Sequence, residues 1–233
     1  MRSDRCFALV PCAGVGLRAG AGGPKQYAPL GRQAVVAHTL DALAAVPELT
    51  ATLVVLSPDD TAFESHAPRF AGWVARSGGA TRAESVAAGL VALRAHGVVD
   101  DDWVLVHDAA RCLLRPKWVT RLIAACQHDA VGGLLALPLA DTLKAADSSP
   151  AARVAGTLDR SHKWLAQTPQ MFRLGLLQRA LQEAQAAGVA ITDESSAVEA
   201  LGLAPLLVAG DQENFKLTWP ADFALATRLL ETR

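Results

Sequence analysis

Short apolar runs alternate with helical spacings along the first 137 residues. CFALV (6–10), TLVVL (52–56), VLVH (104–107) and AVGGLLALP (130–138) each have the length of a buried strand. VLVH is entered from an acidic turn, Asp100-Asp101-Asp102. Between the runs, Val36, Leu40, Leu43 and Ala44 recur at helical spacing, as do Val86, Leu90 and Leu93. This alternation predicts an α/β fold, with an open, mainly parallel, Rossmann-like sheet and helices on both faces. In such sheets ligands bind beyond the carboxyl ends of the strands. The segments after CFALV and after VLVH are therefore the first places to look for chemistry.

The pattern breaks over residues 138–170, PLADTLKAADSSPAARVAGTLDRSHKWLAQTPQ. No helical period persists there, and thirty residues without structure would be odd inside one domain. The stretch reads as two strands around a turn at 147–150, a hairpin arm within a single domain spanning 1–233. The arm would expose Val154, Leu158 and Trp164, so it is expected to pack on a second copy of the chain. Helical patterns resume at 174–187 and 193–201. A strand, APLLVAG, and a helix from Pro220 onward follow.

Composition narrows the class. The chain is 51% hydrophobic and 19% charged over 233 residues, enough for one core with some elaboration. A net charge of −1 offers no basic face for nucleic acid, so any phosphate site must be a local concentration of cations. Cys6, Cys12, Cys112 and Cys126 show no CxxC pairing, which points away from a disulfide framework or zinc site and toward the cytoplasm. No apolar run approaches a membrane span and no signal peptide is expected.

The candidate chemistry begins after the first strand, in VPCAGVGLRAGAGGPKQY (10–27). Five glycines (Gly14, Gly16, Gly20, Gly22, Gly23) let the backbone approach a ligand, and Arg18 and Lys25 add charge. The stretch also fits a GxGxxA dinucleotide fingerprint. That reading needs a helix to open at the glycines, which Gly20 through Pro24 oppose, and an acidic residue ending the second strand, where Ser57-Pro58 stand. A Walker loop is excluded because Gln26 follows Lys25. A bound triphosphate suits the loop better.

The loop, read as PxxGxGxRxxxxxPKQY, resembles that of the 2-C-methyl-D-erythritol 4-phosphate cytidylyltransferase family. SGGATRAESV, VLVHDAAR, ADTLK, TLDR, TPQMF, TDESSAVE and NFKLT follow in the family's order. The resemblance implies that CTP and methylerythritol phosphate are joined, with release of pyrophosphate and with Mg²⁺ bound mainly through substrate phosphates. It assigns Arg18 and Lys25 to the triphosphate and transition state, and Arg160 and Lys216 to orienting the attacking phosphate. It gives the CTP site to Pro11, Cys12, Ala13, Gly14, Gly16, Gly79, Arg82, Ser85 and Ala109. It gives the second substrate to Asp108, Arg111, Thr142, Arg160, Thr192 and Lys216. Thr142 and Arg160 fall on the arm, which in the family crosses to a partner, so a homodimer with shared sites is implied. The chain departs from the family's usual residues at Cys12, Ala80, Cys112 and Glu213.

Other readings of the same residues stay open. Arg82 fits a surface position on a first helical turn, Arg160 fits a salt bridge with Asp159 or Asp141, and Thr192 fits a helix cap. His107 fits a packed strand residue better than a base. A ribitol 5-phosphate cytidylyltransferase would share the loop and HDAAR, and a non-catalytic nucleotide-binding dimer would share the loop.

Overall fold

The computed structural model describes residues 5–14 and 23–232. Seven strands form one sheet in the order β11-β7-β10-β6-β1-β4-β5. They are β1 (Cys6–Pro11), β4 (Leu49–Val55), β5 (Trp73–Ala75), β6 (Trp103–Val106), β7 (Gly132–Pro138), β10 (Trp164–Arg173) and β11 (Leu206–Ala209). Every pairing is parallel except those of β10, which runs against both β6 and β7. The four runs read as strands from their apolar character are β1, β4, β6 and β7. The sheet is mainly parallel, as expected, with β10 as the one reversed strand.

Side chains divide between the two faces with the strand period of two. Phe7, Leu9, Leu53, Val55, Val104 and Val106 pack with Val86, Leu90 and Leu93 of helix α3 (Arg82–Ala95) and with Leu174, Leu177 and Leu181 of α5 (Leu174–Ala186). Ala8, Val10, Val54, Leu56, Trp103 and Leu105 turn the other way. They meet Val36, Leu40 and Leu43 of α1 (Val35–Ala44) and Trp118, Leu122 and Ile123 of α4 (Pro116–Cys126). A smaller cluster joins Leu30, Val35, Leu113 and Leu217 to Ala226 of the last helix, α7 (Pro220–Glu231). Among the described residues no helix is long and apolar enough to cross a membrane.

The arm is built differently from the sequence expectation in one respect. A separate hairpin, β8 (Leu143–Ala146) with β9 (Val154–Leu158), occupies its middle. From Trp164 onward, however, the chain is already back in the central sheet, where Trp164 lies opposite Pro138. Val154, Leu158, Trp164 and Leu165 are all exposed. Two very short strands, β2 (Pro29–Leu30) and β3 (Gln33–Ala34), form a small ribbon before α1. α2 is a single turn (Phe63–His66), and α6 (Glu194–Ala200) follows α5.

Candidate functional site

Chain segments that leave β1, β5 and β6 converge at the carboxyl edge of the sheet. After β1, Cys12 N donates to Val55 O at 2.8 Å, so the ladder carries the chain to the rim before it turns. After β5, Gly78 N donates to Leu56 O at 2.8 Å, which draws the next loop under the first. A Cβ on Gly78 would come within 2.3 Å of Ala13 Cβ and 2.8 Å of Leu56 O, so any side chain there would force the two loops apart. A cavity of about 230 Å³ opens between these loops. Its walls include Pro11, Cys12, Ala13, Gly14, Lys25, Gly79, Arg82, Ser85, Asp108, Ala109 and Lys216.

The two cation-bearing segments are anchored by buried polar contacts. Lys25, Gln26 and Tyr27 form one 3-10 turn. Gln26 Nε2 donates to Cys12 O at 3.0 Å, Tyr27 Oη donates to Asp60 Oδ2 at 2.5 Å, and Lys25 Nζ donates to Leu217 O at 3.0 Å. Across the cavity, Leu217 N donates to Ala110 O at 2.9 Å, tying the NFKLT segment to the loop after β6. The PKQY turn is thus held by Gln26 and Tyr27, two side chains whose roles are invisible until β1 and Asp60 are in place. Burial pushes the Cys12 thiol well above its ordinary range, so Cys12 is a neutral wall residue.

The start of α3 forms a second wall. Thr81 and Glu84 make a reciprocal capping box, and Glu84 Oε2 also accepts from Ala80 N at 2.7 Å. Gly79 N donates to Ser85 Oγ at 3.2 Å, and that hydroxyl donates to Thr81 O at 3.0 Å. Gly79 and Ser85, both assigned to the CTP site, are therefore bonded to each other.

Asp108, 7% exposed, sits at the end of β6 between this cavity and a second of about 180 Å³. The second is lined by Arg82, Asp108, Arg111, Thr168, Thr192 and Lys216 among others. Arg82 Nε donates to Asp108 Oδ1 at 2.8 Å, Lys216 Nζ lies 2.9 Å from Oδ2, and Arg111 Nε lies 3.6 Å from it. Burial would raise the Asp108 carboxyl, but Arg82, Lys216 and Arg111 outweigh it and hold the group far below the usual carboxylate range. Arg82 is not a surface residue. Its terminal nitrogens grip Glu194 at 2.6 and 3.0 Å. Burial opposes its charge, yet Glu194 and Asp108 together hold it above its ordinary value.

The reversed strand supplies the floor of the second cavity. Pairing between β10 and β7 is interrupted from Ala166 to Gln170, where a cis peptide bond precedes Pro169. Thr168 Oγ1 accepts from Asp108 N at 3.1 Å and contacts His107 Nδ1 at 3.0 Å. Gln170 Nε2 donates to Asp193 Oδ2 at 2.8 Å, and its Oε1 accepts from Ser195 N at 2.7 Å, fixing the start of α6. The helix cap there is Asp193, not Thr192. Asp193 is in extended conformation and its carboxylate accepts from Ser196 N at 3.0 Å, whereas Thr192 N donates to Ser196 Oγ. Thr192 remains exposed on the rim of the second cavity.

Of the residues singled out from sequence, Pro11, Cys12, Ala13, Gly14, Lys25, Gly79, Arg82, Ser85, Asp108, Ala109, Arg111, Thr192 and Lys216 thus come together. Thr142 and Arg160 do not. Both are exposed on the arm, and neither lines the two cavities of this chain. Gly16 and Arg18 lie outside the described residues. Glu194, Thr168, Gln170 and Asn214 were not singled out, although each falls within or beside a motif. Asn214 is fully buried and its Nδ2 donates to Thr168 O at 2.8 Å.

Comparison with known proteins agrees with this arrangement. The sequence profile of IspD, 2-C-methyl-D-erythritol 4-phosphate cytidylyltransferase, matches residues 6–232. The bifunctional enzyme IspD/IspF of Albidiferax ferrireducens is 58% identical over 99% of this chain and 54% of that protein, so the chain spans about half its length. The 2-C-methyl-D-erythritol 4-phosphate cytidylyltransferase of Chromobacterium violaceum is 56% identical over 97% of this chain and 98% of the relative. Among solved structures, a 4-diphosphocytidyl-2C-methyl-D-erythritol synthase superposes with a TM-score of 0.86 at 42% identity, covering 98% of this chain and 100% of the other. The cytidylyltransferase of Thermus thermophilus gives 0.79 at 33% identity, covering 97% and 99%. A profile match over nearly the whole chain, on a sheet that gathers the family's motifs at one edge, establishes that this chain belongs to the 2-C-methyl-D-erythritol 4-phosphate cytidylyltransferase family.

Proposed function

We propose that this chain transfers the cytidylyl group of CTP to 2-C-methyl-D-erythritol 4-phosphate, giving the CDP-alcohol and pyrophosphate. The observation that carries the reading is the pair of adjoining cavities that share Arg82, Asp108 and Lys216. One suits a nucleotide between two loops and the other a small polyol phosphate beside a buried anion. A phosphate oxygen of the alcohol phosphate attacks the α-phosphorus of CTP in line. The new P–O bond forms as the bond to the β-phosphate bridging oxygen breaks, and pyrophosphate leaves with that electron pair. The nucleophile is already an anion, so no general base is needed. Positioning and charge stabilisation carry the rate.

Lys25, beside the nucleotide cavity, and Arg18 would stabilise the pentavalent phosphorus. Lys216 would orient the incoming phosphate, moving from Asp108 as the substrate arrives. Asp108, ionised at any working pH, would accept a hydrogen bond from a substrate hydroxyl. Thr142 and Arg160 would complete the second cavity from the arm of a partner copy, which makes the homodimer part of the mechanism. Among the described residues no cluster of three His, Cys, Asp or Glu side chains offers a metal cage, and Asp108 is already engaged by cations. Mg²⁺ would accordingly be held through the triphosphate oxygens and water, which is its usual preference. It would neutralise charge on the phosphates during transfer. The cytoplasm is the expected compartment.

The test is pyrophosphate release from CTP and Mg²⁺ with methylerythritol phosphate or ribitol 5-phosphate in parallel. Release with the first alone, lost on chelating the metal, is expected. Release with ribitol phosphate alone would replace the substrate, and CTP binding without release from either would make the protein a nucleotide-binding dimer.

A further inference from the structure

Glu194 is the second carboxylate of the site; it lines neither cavity described above but stands behind Arg82, which lines both. It is 1% exposed, on the first turn of α6. Both of its oxygens are taken by the terminal nitrogens of Arg82, while the remaining Nε of Arg82 reaches Asp108. One guanidinium is therefore fixed by two carboxylates that arrive on different elements, α6 and the end of β6. A two-pronged grip of this kind sets the plane of the guanidinium as well as its position. Asp108 is aligned in turn, since its Oδ1 accepts the Arg82 Nε–H while Lys216 and Arg111 lie at its Oδ2.

Stability alone does not account for the arrangement. Buried ion pairs are often no more stabilising than well-packed apolar side chains of the same volume, because desolvation offsets their attraction. The three cations Arg82, Arg111 and Lys216 all face Asp108. Without a counter-charge behind it, Arg82 would be drawn toward any phosphate entering the nucleotide cavity, which it also lines. From this geometry, and resting on the function proposed above, we infer that Glu194 is a positioning residue: it holds Arg82 away from the triphosphate and on Asp108, so that Asp108 is oriented for the alcohol phosphate.

The charge-removing, size-conserving variant Glu194→Gln tests this. Its amide still accepts one hydrogen bond but presents N–H groups to the guanidinium. KM for the alcohol phosphate should rise at least about tenfold and kcat/KM fall about a hundredfold, the scale of a displaced positioning group. The Kd for CTP should not weaken. In Arg82→Gln the same loss should appear, and adding Glu194→Gln to it should do nothing further, because Glu194 acts only through Arg82. If Glu194→Gln does not fold, Arg82→Lys keeps the charge, loses the fork and should show the same selective rise in KM. Equal weakening of both substrates, or additive losses in the double variant, would overturn the inference. The comparison is made on whichever alcohol phosphate the wild-type protein uses, so failure of the substrate reading is scored separately.

Discussion

Held between Thr168 and the Arg111 carbonyl, His107 has one ring nitrogen facing a hydroxyl and the other facing a carbonyl oxygen. The carbonyl can only accept, so Nε2 carries the proton and Nδ1 accepts from Thr168. Burial then keeps the ring neutral and pushes its pKa down from 6.5 to about 4. A histidine whose folded value lies below its unfolded one stabilises the fold above pH 6.5 and loses that contribution as pH falls toward 4. The loss should be of order 3 kcal/mol across that window. Urea unfolding at pH 7.5 and pH 5 should show about 2 kcal/mol of it, and His107→Asn should flatten the difference. Lys25, Asp108 and Lys216 could be singled out in the sequence because each is a charged residue inside a recognisable motif, PKQY, HDAAR and NFKLT. Glu194, Gln26 and Thr168 were not, because each works through a contact more than ten residues away in the chain. For Arg82 a surface position stayed open beside the CTP role for the same reason. Both of its partners arrive from elsewhere.

Elements were legible in proportion to how apolar they are. β1, β6, the last three residues of β4 and the first five of β7 are runs buried on both faces, the signature of parallel strands under two helical layers. β10 is equally central, yet its sequence WLAQTPQMFR carries two glutamines and a proline. Gln167, Thr168 and Gln170 fill the interrupted part of its ladder, where they bind the segment after β6, α6 and the NFKLT segment, so the sequence there reports the site rather than the strand. β5, three residues long, is too short to leave a period. α4, which was not singled out from the sequence, opens at Pro116 and buries Trp118, Val119, Leu122 and Ile123 on one face. At this scale the turn from β5 into α3 makes a firm prediction. Gly78→Ala puts a methyl group against Ala13 and Leu56 O and should cost about 1–3 kcal/mol, the range for overpacking. Because the same loops wall the nucleotide cavity, the Kd for CTP should rise along with the fall in Tm. A fall in Tm with CTP affinity intact would mean the strain relaxes away from the cavity.

For the molecule as a whole, the arm sets the terms. Thr142 and Arg160 line neither of this chain's own cavities, and exposed Val154 and Leu158 lie on the hairpin between them. If a partner's arm completes each site, Lys25→Ala and Arg160→Ala chains, each nearly inactive alone, should restore one another when refolded together. Random pairing makes half the dimers mixed, each with one intact site, so about a quarter of wild-type turnover should return. No recovery at any mixing ratio would mean that the arm does not act across an interface. The way the arm is rooted also decides where this chain can change its length. β7 and β10 run out of the central sheet as one ladder, with Pro138 opposite Trp164 and Ala136 opposite Ala166. Where β7 and β10 are paired the side-chain period is two, so one residue inserted between Trp164 and Ala166 would turn the ladder side chains to the opposite face and shift Thr168 away from Asp108. The tip between β8 and β9 carries no such register. Over evolutionary time, insertions and deletions should accumulate at 147–153 and be purged at 164–170, leaving an arm free to vary in reach but not in its footing.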